Sequence, residues 1–326
     1  MFLTKRACYN RAVTSLSSSG GVASPTATTS WLADVSIIIR YHIMLIAMVA
    51  MVVFGWLMTG KYHVELMVWV ALDWFLINLL NRVTDIDEDL RNEIPGTERV
   101  ARRKRVLTFG CFALMAASFV ASHWFWPGLT VWRAIVQLIG LGYNYRIVPT
   151  LSGLSRFKEI YFFKNFGSSV LFVLTCFVYP LASDPSARVM GWAGVAALIL
   201  FFVPFELTYE ILYDFRDIKG DQAQGVPTYP VVHGQERARQ IIDGLLVVSA
   251  LVLGVALAAG VLGVREGLMM AAPLIQFFFY RPRVRRGVTT PDCVWLTHLG
   301  TAQLVMFVVG TAVWGKLGLP ANIFLH

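Results

Sequence analysis

The chain has 326 residues, of which 56% are hydrophobic and 15% charged, and its formal net charge is +8. Its apolar residues gather into runs of about twenty, the length needed to cross a bilayer's hydrocarbon core, so lipid is the solvent of most of this chain. The positive charge needs no nucleic acid to explain it: its placement reads as membrane topology together with affinity for anionic headgroups or a phosphorylated ligand.

Met1 to about Trp31 is basic and rich in Ser and Thr, with Lys5, Arg6 and Arg11 and no acid before Asp34. Residues 1–34 therefore read as a targeting peptide or a cytoplasmic tail, and 35–326 as one transmembrane domain. Nine apolar runs follow, at residues 36–58, 64–83, 105–123, 129–147, 160–182, 190–212, 239–262, 267–280 and 294–316. They lack period-2 alternation, and lipid cannot satisfy open backbone groups, so an all-α polytopic bundle of nine transmembrane helices is predicted rather than a barrel. All but five of the 28 Lys and Arg precede the first run or flank the loops after the second, fourth, sixth and eighth; Lys61, Arg133, Arg188, Arg265 and Lys316 fall on the other face. This bias puts the even loops on the cytoplasmic or equivalent side of a bacterial inner membrane or an organelle membrane. Cys8, Cys111, Cys176 and Cys293 have no metal-ligand spacing and read as packing residues.

In helix one, Arg40 reads as a headgroup anchor. In helix two, Asp73 lies eight residues before Asn81; an ionisable group at membrane depth faces a polar cavity by default, or pairs with a donor on a neighbouring helix. Asn81, Asp85 and Asp89 step by four, which on a helix stacks them on one face. Arg99, just beyond Pro95, can fold back over that face and meet a phosphate oxygen. After helix four come Tyr143, Tyr145 and Arg146, then Arg156, Lys158, Tyr161, Lys164 and Asn165, a supply of cations for an anionic leaving group. Lys164 sits just inside an apolar run, a costly place for an ammonium without an anionic partner, whereas Lys158 is expected in a solvated loop. Helix six ends in a stripe of acids, Glu206, Glu210, Asp214, Asp217 and Asp221, with Tyr209, Tyr213 and Arg216 beside it, before a turn-rich stretch marked by Gly220 and Gly225. Like charges gathered in this way persist where cations compensate them, and the fitting cation is a hard divalent metal such as magnesium, which leaves positions for phosphate oxygens.

The two acidic motifs together resemble the UbiA superfamily of intramembrane prenyltransferases, and the resemblance covers nearly the whole chain. The family's N-x-x-x-D-x-x-x-D at the end of the second helix is matched by Asn81, Asp85 and Asp89, and its D-x-x-x-D at the end of the sixth by Asp217 and Asp221. The resemblance implies a helical bundle around a central cavity, and two magnesium ions held by Asp85, Asp89, Asp214, Asp217 and Asp221 that bridge an isoprenyl diphosphate. It also implies a Tyr-x-x-x-Lys element after helix four that helps with the diphosphate; with it, Lys164, Lys158, Arg99 and Tyr145 are expected to act on the leaving group, and Asn81, Asn165, Tyr209, Tyr213 and Arg216 to bind substrate. Two departures stand out: Arg82 occupies a position where many members carry Asp, and the family's Tyr-x-x-x-Lys element is interrupted, since Tyr143 and Tyr145 are separated from Lys158 by an insertion and Tyr161 to Lys164 is one residue short. The implied reaction transfers a prenyl group to an aromatic or lipid-like acceptor. A UbiA-like terpene cyclase, in which the chain's own double bonds trap the cation, is the alternative, and an isoprenoid carrier without turnover is disfavoured by the intact acids. Neither the acceptor nor the oligomeric state is set by the sequence.

Overall fold

The computed structural model describes residues 39–151 and 153–320. The expected tail at 1–34 and the last six residues lie outside the described residues. The first helix, α1 (Tyr41–Thr59), is uniformly apolar and ends where Gly60 takes φ 73°, a left-handed conformation that lets its N–H donate to the Trp56 carbonyl. The second, α2 (Met67–Thr84), leads into two short helices, α3 (Ile86–Arg91) and α4 (Thr97–Arg102). Next come α5 (Lys104–Phe125) and α6 (Thr130–Asn144), and then the only strands among the described residues, β1 (Val148–Thr150) and β2 (Gly153–Ser155), an antiparallel pair with Val148 opposite Ser155.

The fifth membrane segment is α7 (Phe163–Val173), a π turn over Leu174–Val178 and α8 (Tyr179–Ser183). Pro180 has no N–H to give, and at its edge the ladder widens so that Tyr179 N–H donates to the Leu174 carbonyl. The longest helix, α9 (Trp192–Gln224), has 33 residues. At about 1.5 Å per residue it reaches roughly 50 Å, far beyond the hydrocarbon core, so its C-terminal turns project past the membrane edge. After it come α10 (Tyr229–His233), α11 (Gln235–Ala258), α12 (Ala271–Arg286) and α13 (Thr290–Lys316), the last opened by a reciprocal Thr289–Asp292 capping box.

The all-α expectation holds. Among the described residues, seven helical segments are long and apolar enough to cross a membrane. The predicted fourth and eighth runs are helical too, but α6 has 15 residues and α12 has 16, both short of a full crossing on their own. A second correction concerns Gly220, expected to begin a turn-rich loop: it lies inside α9, where a Cβ would come within 2.4 Å of the Asn92 side chain, and Gly225, at φ 69°, ends the helix instead.

The interior is aromatic as well as aliphatic. Phe54 stacks on Phe177 at 4.5 Å between ring centroids and meets Phe202 edge-on at 5.2 Å. Asp73 does not face a cavity. Its carboxylate is fully buried against Arg133 of α6, with Nη2 at 2.6 Å from Oδ1 and Nε at 3.0 Å from Oδ2, and it also accepts from Gln137 and Tyr179. Arg133, which sequence reasoning placed at a membrane face, is thus an intramembrane partner that also stacks over Trp69. The outer faces of α5, α11 and α13 carry exposed Phe109, Trp124, Val255 and Met306, the composition of a lipid-facing surface.

Candidate active site

At the end of α2 the helical geometry breaks at Asp85 (φ −104°, ψ 26°), so the first motif does not lie on one continuous helix as expected. The four-residue stack survives because the backbone bonds continue across the break: Asp85 N–H donates to Asn81 O at 3.0 Å and Asp89 N–H to Asp85 O at 2.8 Å. The Asn81 amide in turn donates to the Asp85 carboxylate. Asp85 Oδ1 is also reached by Lys158 Nζ at 2.8 Å and by Arg156 Nη1 at 3.1 Å. Burial pushes the Asp85 carboxyl above the ordinary aspartate range, while Lys158 pulls it back. Lys158 is not solvated. It is 1% exposed, and it also contacts Glu88 Oε2 at 2.8 Å. The insertion accounts for this: β1 and β2 close on each other, so the chain returns toward α3 and delivers Arg156 and Lys158 to the first motif.

Arg82, the departure from the family pattern, is buried and donates to Asp89 Oδ2 at 2.7 Å, to the Pro95 carbonyl at 2.7 Å and to Thr97 Oγ1 at 3.3 Å. It braces the loop after α3 and compensates Asp89 at once. Arg40 reaches the same carboxylate more loosely, at 3.9 Å, and donates to Asn81 at 3.4 Å.

The second motif lies on α9. Lys164, in the first turn of α7, bridges Asp214 Oδ1 at 2.8 Å and Asp221 Oδ2 at 3.0 Å, while Asn165 donates to Asp214 Oδ2 at 2.9 Å. Arg216 makes a two-pronged pair with its neighbour Asp217, at 2.7 and 2.6 Å, and stacks over Tyr213. Asp221 Oδ1 is buried and has no hydrogen-bond partner among the described residues. Each carboxylate is engaged by a lysine or arginine, and no three acidic, His or Cys side chains among the described residues form a ready-made metal nest. The donor set still fits a hard divalent ion. It is all oxygen, it contains an orphaned buried carboxylate oxygen, and phosphate oxygens would complete the coordination sphere.

The two motifs face each other across a polar chamber of about 120 Å³, whose lining includes Asn81, Asp89, Lys158, Lys164, Asp214 and Asp217. A second, apolar cavity of about 270 Å³ lies beside it, walled by Phe54, Phe172, Phe201, Phe202, Phe205 and Phe307. Ile43, Glu210 and Tyr213 line both.

Of the predicted site residues, Asp89, Asp214, Asp217, Asn81, both lysines, Arg216 and Tyr213 line the polar chamber, Asp85 and Asp221 are held by Lys158 and Lys164 without being part of its lining, and Tyr209 lies on the apolar cavity. Asn165 stands behind it, holding Asp214. Tyr145 packs against Phe112 outside the chamber, and its neighbour Tyr143 lines it instead. Arg99 is on the exposed side of α4 and is not part of the lining. Sequence reasoning missed Glu88 and Ser168. Glu88 is one residue before Asp89 but off the four-residue step; Ser168 gave no signal, because its role depends on α9 packing against α7.

Residues 43–308 match the model of the UbiA prenyltransferase family. Among solved structures, the fold is similar to a UbiA homolog from Archaeoglobus fulgidus bound to DMAPP and Mg2+, with a TM-score of 0.63, 17% identity, and coverage of 85% of this chain and 98% of that one. Among curated proteins, the chain is 24% identical over 198 residues to the polyprenyl transferase eriF of Hericium erinaceus, covering 58% of this chain and 61% of the relative. It is also 24% identical over 189 residues to the digeranylgeranylglyceryl phosphate synthase of Haloquadratum walsbyi, covering 57% and 61%. The match thus spans about three fifths of the length of these relatives. The paired acid motifs, the bundle that positions them and a match over most of the chain agree: this protein belongs to the UbiA prenyltransferase family.

Proposed function

We propose that the chain is an intramembrane prenyltransferase that ionises an isoprenyl diphosphate with two magnesium ions and passes the prenyl group to an aromatic or lipid-like acceptor. The observation that carries this reading is the pair of adjoining chambers, one lined with acids and cations and the other with aromatic rings, sharing a wall at Ile43, Glu210 and Tyr213. A diphosphate fits the chemistry of the first and an isoprenoid tail that of the second. UbiA homologs from Archaeoglobus fulgidus bound to DMAPP or to GPP with Mg2+ support the donor, and the digeranylgeranylglyceryl phosphate synthases among the relatives support a lipid-like acceptor.

When bound, magnesium would offset the charge growing on the departing diphosphate, held by Asp85, Asp89, Asp214, Asp217 and Asp221. Lys158 and Lys164 enter from opposite motifs, where fixed ammonium groups add to that stabilisation in a site shielded from bulk water. Asn165 and Arg82 hold Asp214 and Asp89 in position. The rings of Phe172, Phe201 and Phe205 exclude water and offer π faces to an allylic cation.

The test is product analysis with the purified protein in lipid nanodiscs, magnesium and labelled geranyl diphosphate, with and without phenolic and lipid acceptors. Acceptor-dependent labelled product, lost in Asp217→Ala and in Asp85→Ala by roughly a hundredfold or more, is expected. A free terpene made equally well without any acceptor would point to the cyclase, and the absence of diphosphate release under all conditions would sink the reading.

A further inference from the structure

Two acids on α9 lie deeper in the membrane than any metal motif and are not accounted for by it. Glu210 and Glu206 are one and two turns further in than Asp214, on the same face. Neither is paired with a lysine or arginine among the described residues. Both instead accept hydrogen bonds from α7: Ser168 donates to Glu210 Oε1 at 2.8 Å and lies 3.3 Å from Glu206 Oε1, and Ser169 donates to Glu206 Oε2. Ser168 has one hydroxyl hydrogen for two carboxyl neighbours, so it satisfies both only when one carboxyl itself carries a proton and donates it to the serine oxygen. The geometry is that of a carboxyl pair holding a single proton.

Its position adds the chemistry. Glu206 lines the apolar cavity, Ser168 lines the polar chamber, and Glu210 lines both. Any prenyl carbon attached to a diphosphate in the polar chamber enters the apolar cavity past Glu210. A second, independent observation points to a ligand here: among the described residues the Tyr209 hydroxyl, more than nine-tenths buried on the wall of the same cavity, has no hydrogen-bond partner, and neither does the Gln303 amide on the opposite helix α13. Buried polar groups left this way in apolar surroundings are costly and find their partner in what binds.

Resting on the transferase reading above, we propose that Glu210 is the base that takes the proton the acceptor must lose, and that the acceptor is an otherwise apolar molecule bearing a hydroxyl group seated where the two chambers meet. The step balances. The allylic C–O bond breaks with its electron pair leaving on the diphosphate, a bond forms between the allylic carbon and the acceptor's nucleophilic atom, and the hydrogen on that atom passes as a proton to Glu210, the carboxylate to which Ser168 donates and which carries no proton before the step, while Glu206 keeps the proton it shares with Ser168. The proton transfer leaves the diphosphate and its metal-binding carboxylates undisturbed, so binding of the donor and transfer to the acceptor are separable.

The experiment uses the full chain in nanodiscs with magnesium and tritiated geranyl diphosphate, a phenol and a long-chain alcohol as acceptor probes, and geranyl thiolodiphosphate as an unreactive probe of donor binding. Glu210→Gln, which keeps the shape of the side chain, is expected to lower transfer about a hundredfold while binding the thiolodiphosphate within about threefold of the original. Residual turnover should shift toward free prenyl alcohol, diphosphate being released without transfer, and Glu210→Asp should recover about tenfold over the Gln variant. Ser168→Ala should give a smaller loss with the same uncoupling. Transfer by Glu210→Gln within threefold of the original overturns the proposal, and so does a parallel loss of thiolodiphosphate binding, which would make Glu210 part of the donor site. Wild-type protein that releases diphosphate yet transfers to neither probe and yields a free terpene also overturns it. Wild-type protein that releases no diphosphate at all contradicts the transferase reading instead.

Discussion

At the scale of single residues, the proposed ionisation turns on two lysines. Sequence reasoning separated them, with Lys164 held in an apolar segment and Lys158 free in a loop; the structure makes them equivalent, each within 3.0 Å of two carboxylates and each from a different motif. A lysine that meets the diphosphate more strongly in the transition state than in the ground state lowers the catalytic rate when removed, with little change in apparent substrate affinity. Both Lys158→Met and Lys164→Met are therefore expected to cut kcat by one to three powers of ten, roughly 1.4–4 kcal/mol of transition-state stabilisation. Steady-state kinetics on the two variants checks this, and a Lys158→Met variant of near-normal kcat would return the task to Lys164 alone. The acidic half of the site was legible in the sequence because a step of four stacks residues whatever the fold around them. Lys158 was not, because its partner Asp85 lies more than seventy residues away and only the β1–β2 turn brings the two together. Arg82 was legible as a departure and not as a brace, since its contacts to Pro95 and Thr97 depend on how the loop closes.

At the scale of elements, the bundle is held by polar contacts that a hydropathy reading sees only as interruptions. The Asp73–Arg133 pair joins α2 to α6, and Tyr179 ties α8 to the same carboxylate. The sequence showed one acid in an apolar run and one arginine at the edge of another, with nothing to say that they meet. Removing one partner leaves an unpaired charge buried inside the bundle, whereas removing both leaves an apolar contact, so the two outcomes differ sharply. Arg133→Met is expected to destabilise the protein by about 3–5 kcal/mol, and the double variant Asp73→Leu with Arg133→Met to recover most of that loss. Reversible unfolding in mixed detergent micelles measures both; losses that simply add would show that the residues do not act as a pair. Close helix approach is the other element-scale device. Gly220 lets α9 press on Asn92, whose side chain accepts from the Gly220 N–H at 2.7 Å, and Gly220→Leu should push α9 away from the loop after α3 and weaken the site without unfolding the bundle. Loss of activity with an unchanged unfolding midpoint is the expected result, and unaltered activity would show that this contact does not set the spacing of the two motifs.

At the scale of the whole molecule, the two motifs come from opposite halves of the chain, and each holds its own counter-cations: Arg40, Arg82, Arg156 and Lys158 on the first, Lys164 and Arg216 on the second. Magnesium arriving alone must compete with those side chains for carboxylate oxygens. A diphosphate arriving alone must approach five aspartates at once, and like charges in a partly buried chamber repel strongly. Were the two to arrive together, as the proposed function requires, the metal would offset the diphosphate's charge, the aspartates would hold the metal, and the lysines and arginines would be free to turn from the aspartates to the phosphate oxygens. Binding is therefore expected to be cooperative. A ligand that binds only the folded state stabilises it by about 2.7 kcal/mol at a hundred times its Kd, so thermal unfolding reports occupancy without any turnover. With geranyl thiolodiphosphate and magnesium together the unfolding midpoint should rise by several degrees, with either alone by much less than half as much, and EDTA should abolish the joint effect while leaving the protein folded. Zinc, which favours nitrogen and sulfur ligands, should replace magnesium poorly at a site built from oxygen. Shifts from metal and diphosphate that merely add would mean two independent sites, and would remove the bridge between the halves on which the proposed ionisation rests.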